Sequence, residues 1–252
     1  MIWTDYGLEI NATRHCTNAC VACNHASTRF TEHYCMEPAV LARDLEKIKG
    51  LLHVKLFMVQ GGEPLLHPQV TELLRLIASS GMAQQYGVLT NGKLLPQMKV
   101  EFWKMLGETH SELRMSCYPD LSPDIVPFAL KKAEEYGFSV RPQQIDSFAP
   151  IFKKNNGNTY FGCPWNRCLT IHEGFFYLCP LTTFFPKQFM GLPETIDGIP
   201  LEGLTEEKLH TFLNRDTPLE ACKICTGARG ERIPWHQNKT EPEWRLEAGM
   251  DW

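Results

Sequence analysis

Cys16, Cys20 and Cys23 stand at the spacing Cys-x3-Cys-x2-Cys. Three thiolates this close along a chain can hold a metal centre. They are one short of the four that close a [4Fe-4S] cube or a structural zinc site. The run from Cys16 to His25 holds no fourth cysteine, and His15 and His25 are the nearby alternatives. A cube held by three thiolates leaves one iron without a protein ligand, where a small molecule can bind the metal directly.

Two further motifs follow. Gly61-Gly62-Glu63-Pro64 comes after the apolar run Val54 to Gln60, and Thr90-Asn91-Gly92 after Gln85 to Leu89. Both runs read as strands, so both motifs sit at strand ends. The triplet and these two motifs, in this order, resemble the radical S-adenosylmethionine (SAM) superfamily over roughly residues 8–145. The resemblance implies a [4Fe-4S] cluster on Cys16, Cys20 and Cys23, and SAM as cosubstrate. It also implies cleavage of SAM to a 5'-deoxyadenosyl radical. The family's Gly-Gly-Glu-Pro segment binds the methionine amino group, which places that role on Gly61, Gly62, Glu63 and Pro64. Two glycines suit close backbone approach, and Glu63 offers an acceptor. Asn91 and Ser116 fall where the family places ribose- or carboxylate-binding groups. Arg141 is a candidate grip on the SAM carboxylate or a polar substrate. The residue before the third cysteine, commonly aromatic in the family, is Ala22 here, so adenine must be packed from elsewhere.

The elements that must position these groups alternate. Leu8 to Ala12 reads as a strand leading to the cysteine loop. A helix from Pro38 through Leu52, one over Val70 to Ile77, one over Val100 to Leu106 and one from Pro123 to Tyr136 carry apolar residues at helical spacing. Strands over Leu113–Cys117 and Phe138–Arg141 complete the set. Strands alternating with helices predict a parallel sheet with right-handed crossovers. The fold class is α/β: a partial (β/α)6 TIM-like radical SAM barrel over residues 1–150, with the active site at the strand C-terminal ends. Residues 151–252 form a small C-terminal module of β-hairpin and helices.

In that module, Cys163 and Cys179 enclose Gly174 as Cys-x10-Gly-x4-Cys, and Cys222 and Cys225 follow as Cys-x2-Cys. This looks like the auxiliary-cluster module called a twitch domain. The implied ligands of a second [4Fe-4S] cluster are Cys163, Cys179, Cys222 and Cys225, with Cys168 able to replace Cys163. Zinc is the competing occupant. A hairpin is expected to turn at His172-Glu173-Gly174. Trp235, Trp244 and Trp252 cap the module, pack or line a pocket.

The chain has 252 residues, 43 % hydrophobic and 21 % charged, with net charge −4. That is a globular composition with no charge signature for nucleic acid. No apolar run approaches the roughly 20 residues of a membrane span. The start lacks a basic-then-apolar leader, which predicts a cytoplasmic protein whose ten cysteines are thiols. With its first strand near residue 8, the chain has no room before it for a peptide-binding domain, which favours a small-molecule substrate.

This layout is similar to that of 2-deoxy-scyllo-inosamine dehydrogenases, which oxidise a secondary alcohol of an aminocyclitol. It implies an oxidoreductase acting on a sugar or cyclitol alcohol, the auxiliary cluster accepting an electron. A reductase such as flavodoxin or ferredoxin would supply the electron for SAM. Cys117 keeps an alternative open: a thiol in the cavity would donate a hydrogen atom and make the enzyme an epimerase, whereas a core thiol would only pack. A peptide-modifying maturase is a further alternative, and a non-catalytic iron–sulfur or zinc protein is another.

Overall fold

In the computed structural model, residues 1–29, 33–163, 167–227 and 231–250 are described. The expected alternation is present: β1 (Ile2–Asn11), α1 (Pro38–Ile48), β2 (Leu52–Gln60), α2 (Val70–Ser79), β3 (Ala83–Thr90), α3 (Val100–Glu108), β4 (Glu112–Cys117), α4 (Ile125–Tyr136) and β5 (Ser139–Gln144). Each helix turns an apolar stripe to the sheet; for α2 these are Val70, Leu73, Leu74 and Ile77. α4 ends where Gly137 takes the left-handed conformation (φ 79°) that closes helices. β1 starts earlier than its apolar alternation suggests, because Ile2–Thr4 pair with Leu52–Val54. Leu52 likewise belongs to β2, not to the helix before it.

β1 to β5 pair in parallel as neighbours. They supply five strands, and the sixth parallel strand comes from beyond residue 150. After the short β6 (Ser147–Phe148), β7 (Cys168–His172) returns to pair in parallel with β1, Gly7 opposite Cys168 and Ile10 opposite Ile171. β8 (Phe175–Tyr177) and β9 (Gly198–Pro200) extend the sheet antiparallel, in the order β5-β4-β3-β2-β1-β7-β8-β9. The sheet stays open between β5 and β9.

The expected hairpin is therefore β7–β8, and it is stitched onto the barrel sheet. Its turn uses Glu173 (φ 47°) and Gly174 (φ 81°), the pair of positive φ angles that suits strand twist. Gly174 N–H donates to Asp44 of α1 at 2.7 Å, which pins the turn to the barrel. α5 (Phe185–Met190), α6 (Glu206–Leu213), β10 (Ile233–Pro234) and α7 (Glu241–Glu247) follow, β10 pairing with β6. A second apolar cluster around Phe152, Phe185 and Trp244 includes Val21, Ala22 and Ala26 from the cysteine loop. Among the described residues, no helix is long and apolar enough to cross a membrane.

Candidate functional site

The cysteine loop leaves β1, and backbone hydrogen bonds hold its entering side. Gly62 N–H donates to Thr13 C=O and Glu63 N–H to His15 C=O, both at 2.7 Å. The two glycines are needed for this contact. A Cβ on Gly61 would lie 2.4 Å from Thr13 O, and one on Gly62 2.1 Å from His15 O. Gly61 also has φ 138°, which side chains rarely adopt. The pair thus lets the end of β2 press against the chain entering Cys16.

The thiols of Cys16, Cys20 and Cys23 line one cavity of about 280 Å³. Gly61, Gly62, Thr90, Asn91, Ser116, Tyr118 and Phe148 share its wall. Most of these residues come from the ends of β2, β3 and β4, the C-terminal edge of the sheet. Burial is the main reason the thiols of Cys16 and Cys20 are pushed up to about 12. A metal centre binding here must displace their protons. Ala22 takes φ 59° in this loop and is buried.

Glu63 sits behind the wall. It is fully buried, and its carboxylate accepts from Thr90 Oγ1 (2.6 Å), Asn91 N–H (2.9 Å) and Leu65 N–H (3.1 Å). It ties the end of β2 to that of β3 and positions Asn91. Pro64 opens the short turn that follows. Asn91 Nδ2 donates to Thr17 Oγ1 at 2.9 Å.

Two expected catalytic residues lie elsewhere. Cys117 shares the helix-facing side of β4 with Leu113 and Met115, in the main apolar core. Its thiol points to Met115 C=O at 3.8 Å. Ser116, one residue earlier, takes the cavity side, because successive strand residues face opposite ways. Arg141 is exposed on the edge strand β5, outside the cavity wall. In register it shares the sheet face of Arg114 and Ser116, but it is exposed and does not line this cavity.

The cavity also contains Glu9 and Gln60, which motif reading missed, with His25, read only as a possible fourth ligand, and Cys168, read only as a possible ligand of the second site. Glu9 Oε1 and His25 Nε2 are buried without a hydrogen-bond partner and stand 3.9 Å apart. His25 Nδ1 lies 2.9 Å from Asn24 Oδ1. Burial raises the Glu9 carboxyl, with His25 opposing. The available signal was β1's alternation: Leu8 and Ile10 face the helices, so Glu9 must face inward. Cys168 follows from the parallel pairing of β7 with β1.

A second, smaller pocket is lined by Cys163, Cys179, Cys222 and Cys225 among mainly apolar neighbours such as Leu181, Leu219 and Ala221. Its space, about 20 Å³, is far below the roughly 300 Å³ an organic ligand needs. Metal–thiolate bonds, however, need no van der Waals gap. Gly227 (φ 61°) passes so close that a Cβ would lie 3.2 Å from Cys163 Sγ. Cys225 Sγ accepts from Gly227 N–H at 3.3 Å. Cys168 is absent from this pocket's wall. Among the described residues, no three His, Cys, Asp or Glu side chains converge on a single-ion position. The donor chemistry fits an iron–sulfur group in both places: three thiols beside a cavity with room to spare, and four thiols around a small one.

Neither a protein-family model nor a curated protein sequence matches the chain. Solved structures do. BtrN in complex with AdoMet and 2-DOIA aligns over 94 % of this chain and 96 % of its own, at 13 % identity and TM-score 0.59. Histidine-tagged anSMEcpe with bound AdoMet aligns over 96 % and 91 %, at 14 % identity and TM-score 0.56. The fold is a mixed α/β partial barrel with a parallel sheet, like that of these two proteins. A shorter alignment, to native anSMEcpe with bound AdoMet, covers 56 % of this chain and 44 % of that one, at 20 % identity and TM-score 0.43.

Proposed function

We propose that this chain is a radical SAM enzyme, with a [4Fe-4S] cluster on Cys16, Cys20 and Cys23 and SAM in the adjoining cavity. The observation that carries the reading is convergence. Three thiols, a Gly-Gly turn and Asn91, from separate parts of the sequence, line one cavity. Bound there, the cluster supplies the electron that splits SAM into methionine and a 5'-deoxyadenosyl radical.

The chain's own residues bind and orient. Gly61 and Gly62 offer backbone to the methionine end, while Asn91 and Ser116 offer side-chain hydrogen bonds. Tyr118 and Phe148 provide aromatic faces for adenine, the role Ala22 leaves open. Glu63 acts through Asn91, whose backbone it holds.

For the substrate, the reading is a small polar molecule, a sugar or cyclitol alcohol. Glu9 is the group placed to accept a proton, since a buried carboxylate is a stronger base than an exposed one. The alcohol carbon gives a hydrogen atom to the radical and the hydroxyl gives its proton to Glu9. A second [4Fe-4S] cluster, which Cys163, Cys179, Cys222 and Cys225 would hold, would take up the remaining electron, so that the product would be a ketone. The alignment with BtrN, solved with AdoMet and 2-DOIA, supports a small-molecule substrate. A flavodoxin- or ferredoxin-type reductase supplies the first electron. One observation favours a second reading: Cys168 places a thiol in the cavity wall, where hydrogen-atom return would make the enzyme an epimerase.

The test is anaerobic reconstitution with iron and sulfide, then reduction with SAM present. Formation of 5'-deoxyadenosine is the expected result. Its absence under several reductants would leave a metal-binding protein without this chemistry.

A further inference from the structure

Residues 233–244 come back to the cysteine loop from the far end of the chain and grip it around Cys20. Val21 N–H donates to His236 C=O at 3.0 Å, and Asn238 N–H to Ala19 C=O at 3.0 Å. Ala19 N–H donates to Gln237 Oε1 at 2.8 Å. Trp244, fully buried, donates its indole N–H to Cys20 C=O at 2.8 Å. Trp235 donates its indole N–H to the Cys20 sulfur itself, at 3.1 Å.

The Trp235 ring is held in that position. Its backbone N–H donates to Asp146 C=O at 2.8 Å, continuing the β10–β6 pairing. Its face stacks on Tyr118, with centroids 5.4 Å apart and planes 23° apart. The indole N–H has no acceptor role, so its one polar atom is committed to this sulfur.

A donor aimed at a cluster thiolate stabilises negative charge on the centre, and reduction adds one such charge. Hydrogen bonds to the sulfurs are one of the determinants of cluster potential. We propose that Trp235 is a positioning residue that makes the first cluster easier to reduce through its hydrogen bond to Cys20. This inference rests on the reading that Cys16, Cys20 and Cys23 hold that cluster. It assigns the C-terminal segment a role in the chemistry of the N-terminal centre.

The experiment is an anaerobic redox titration of the reconstituted full chain followed by electron paramagnetic resonance. Adding SAM identifies the first centre as the signal that changes. Trp235→Phe keeps a ring against Tyr118 and removes the donor. The expected result is a more negative midpoint for the first centre and an unaltered midpoint for the second. An unchanged first midpoint, or an equal shift of both, overturns the inference. Wild-type protein lacking any SAM-responsive centre would sink the underlying reading as well, a different result from a responsive centre indifferent to the substitution. If Trp235→Phe fails to take up iron, unaltered protein labelled with 15N-indole tryptophan decides. Pulsed spectroscopy of the reduced first centre should detect two inequivalent indole nitrogens, Trp235 on the Cys20 sulfur and Trp244 on its carbonyl; finding one or none overturns the proposal.

Discussion

The two thiol sites of this molecule are built on opposite plans. Around Cys16, Cys20 and Cys23 there is a cavity of about 280 Å³, and its wall carries buried polar atoms with no hydrogen-bond partner, Glu9 Oε1 and His25 Nε2, which stand 3.9 Å apart. Around Cys163, Cys179, Cys222 and Cys225 the space is about 20 Å³, and the neighbours are largely apolar. The first arrangement invites a ligand that brings its own hydrogen-bonding groups. The second offers four sulfur donors, little space and mainly apolar neighbours. Unsatisfied buried polar atoms are costly, so their presence at the first site marks it as shaped for exchange, while the second is shaped for retention.

Removing one thiol from each site tests this contrast most severely. Cys16→Ala should reduce 5'-deoxyadenosine formation to background. Cys222→Ala should keep SAM cleavage while iron falls from about eight to about four per chain. Iron near eight in Cys222→Ala would mean that this ligand set is wrong. His25→Ala should keep its iron and its SAM cleavage, since an open centre needs no fourth side chain. Loss of iron there would close the first site and break the contrast.

Next in size is the packing of the first loop. Gly62→Ala places a Cβ 2.1 Å from His15 O, so backbone must move just before Cys16. The expected outcome is loss of the first centre, read as loss of the SAM-responsive signal, with the second retained. Glu63→Ala strips a buried acceptor from Thr90 and Asn91 N–H. Leaving such donors unmet costs about 1–3 kcal/mol, or a lowering of Tm of about 2–4 °C per kcal/mol in a chain this size. SAM affinity should weaken with it, because Asn91 loses its anchor.

How far the sequence foretold these two sites depends on the kind of signal. Local motifs translated directly: the triplet, Gly61-Gly62, Asn91 and the Cys-x2-Cys sit where strand ends and turns put them. The turn at Gly174 was legible because two positive φ angles in a tight hairpin favour glycine. Which way a side chain faces was harder. Ser116 and Cys117 are adjacent, and only the packing of Leu113 and Met115 against helices decides that the thiol goes to the core. Arg141 read as a cavity residue because β5 continues the barrel pattern, but β5 is the sheet's edge and its residues are mostly exposed. Glu9's inward side follows from β1's own alternation, but Cys168 depends on β7 pairing with β1, a contact across about 160 residues that no short-range pattern encodes.

The smallest effect expected concerns the seam that joins the two sites. Arg14, two residues before Cys16, is buried and pairs with Glu194; it also reaches His172 Nε2 at 3.2 Å and Thr183 C=O at 3.1 Å. Burial alone would raise the Glu194 carboxyl. Hydrogen bonds from His172 and Arg14, with the Arg14 charge, outweigh it and hold the carboxyl at about 2. A carboxyl whose folded pKa lies below its unfolded value, about 4.3, stabilises the fold above that unfolded value. It loses this contribution as pH falls toward the folded one. Glu194→Gln should therefore cost about 1.5 kcal/mol at pH 7, the low end for one hydrogen bond to a charged group. The two proteins should converge in stability as pH drops from about 4.5 to 2, because only wild type has a titrating group at this position. Urea unfolding at pH 7, 5 and 3 measures this. Parallel curves at all three values would show that the seam contributes no charge-dependent stability, and the two sites would then be joined by packing alone.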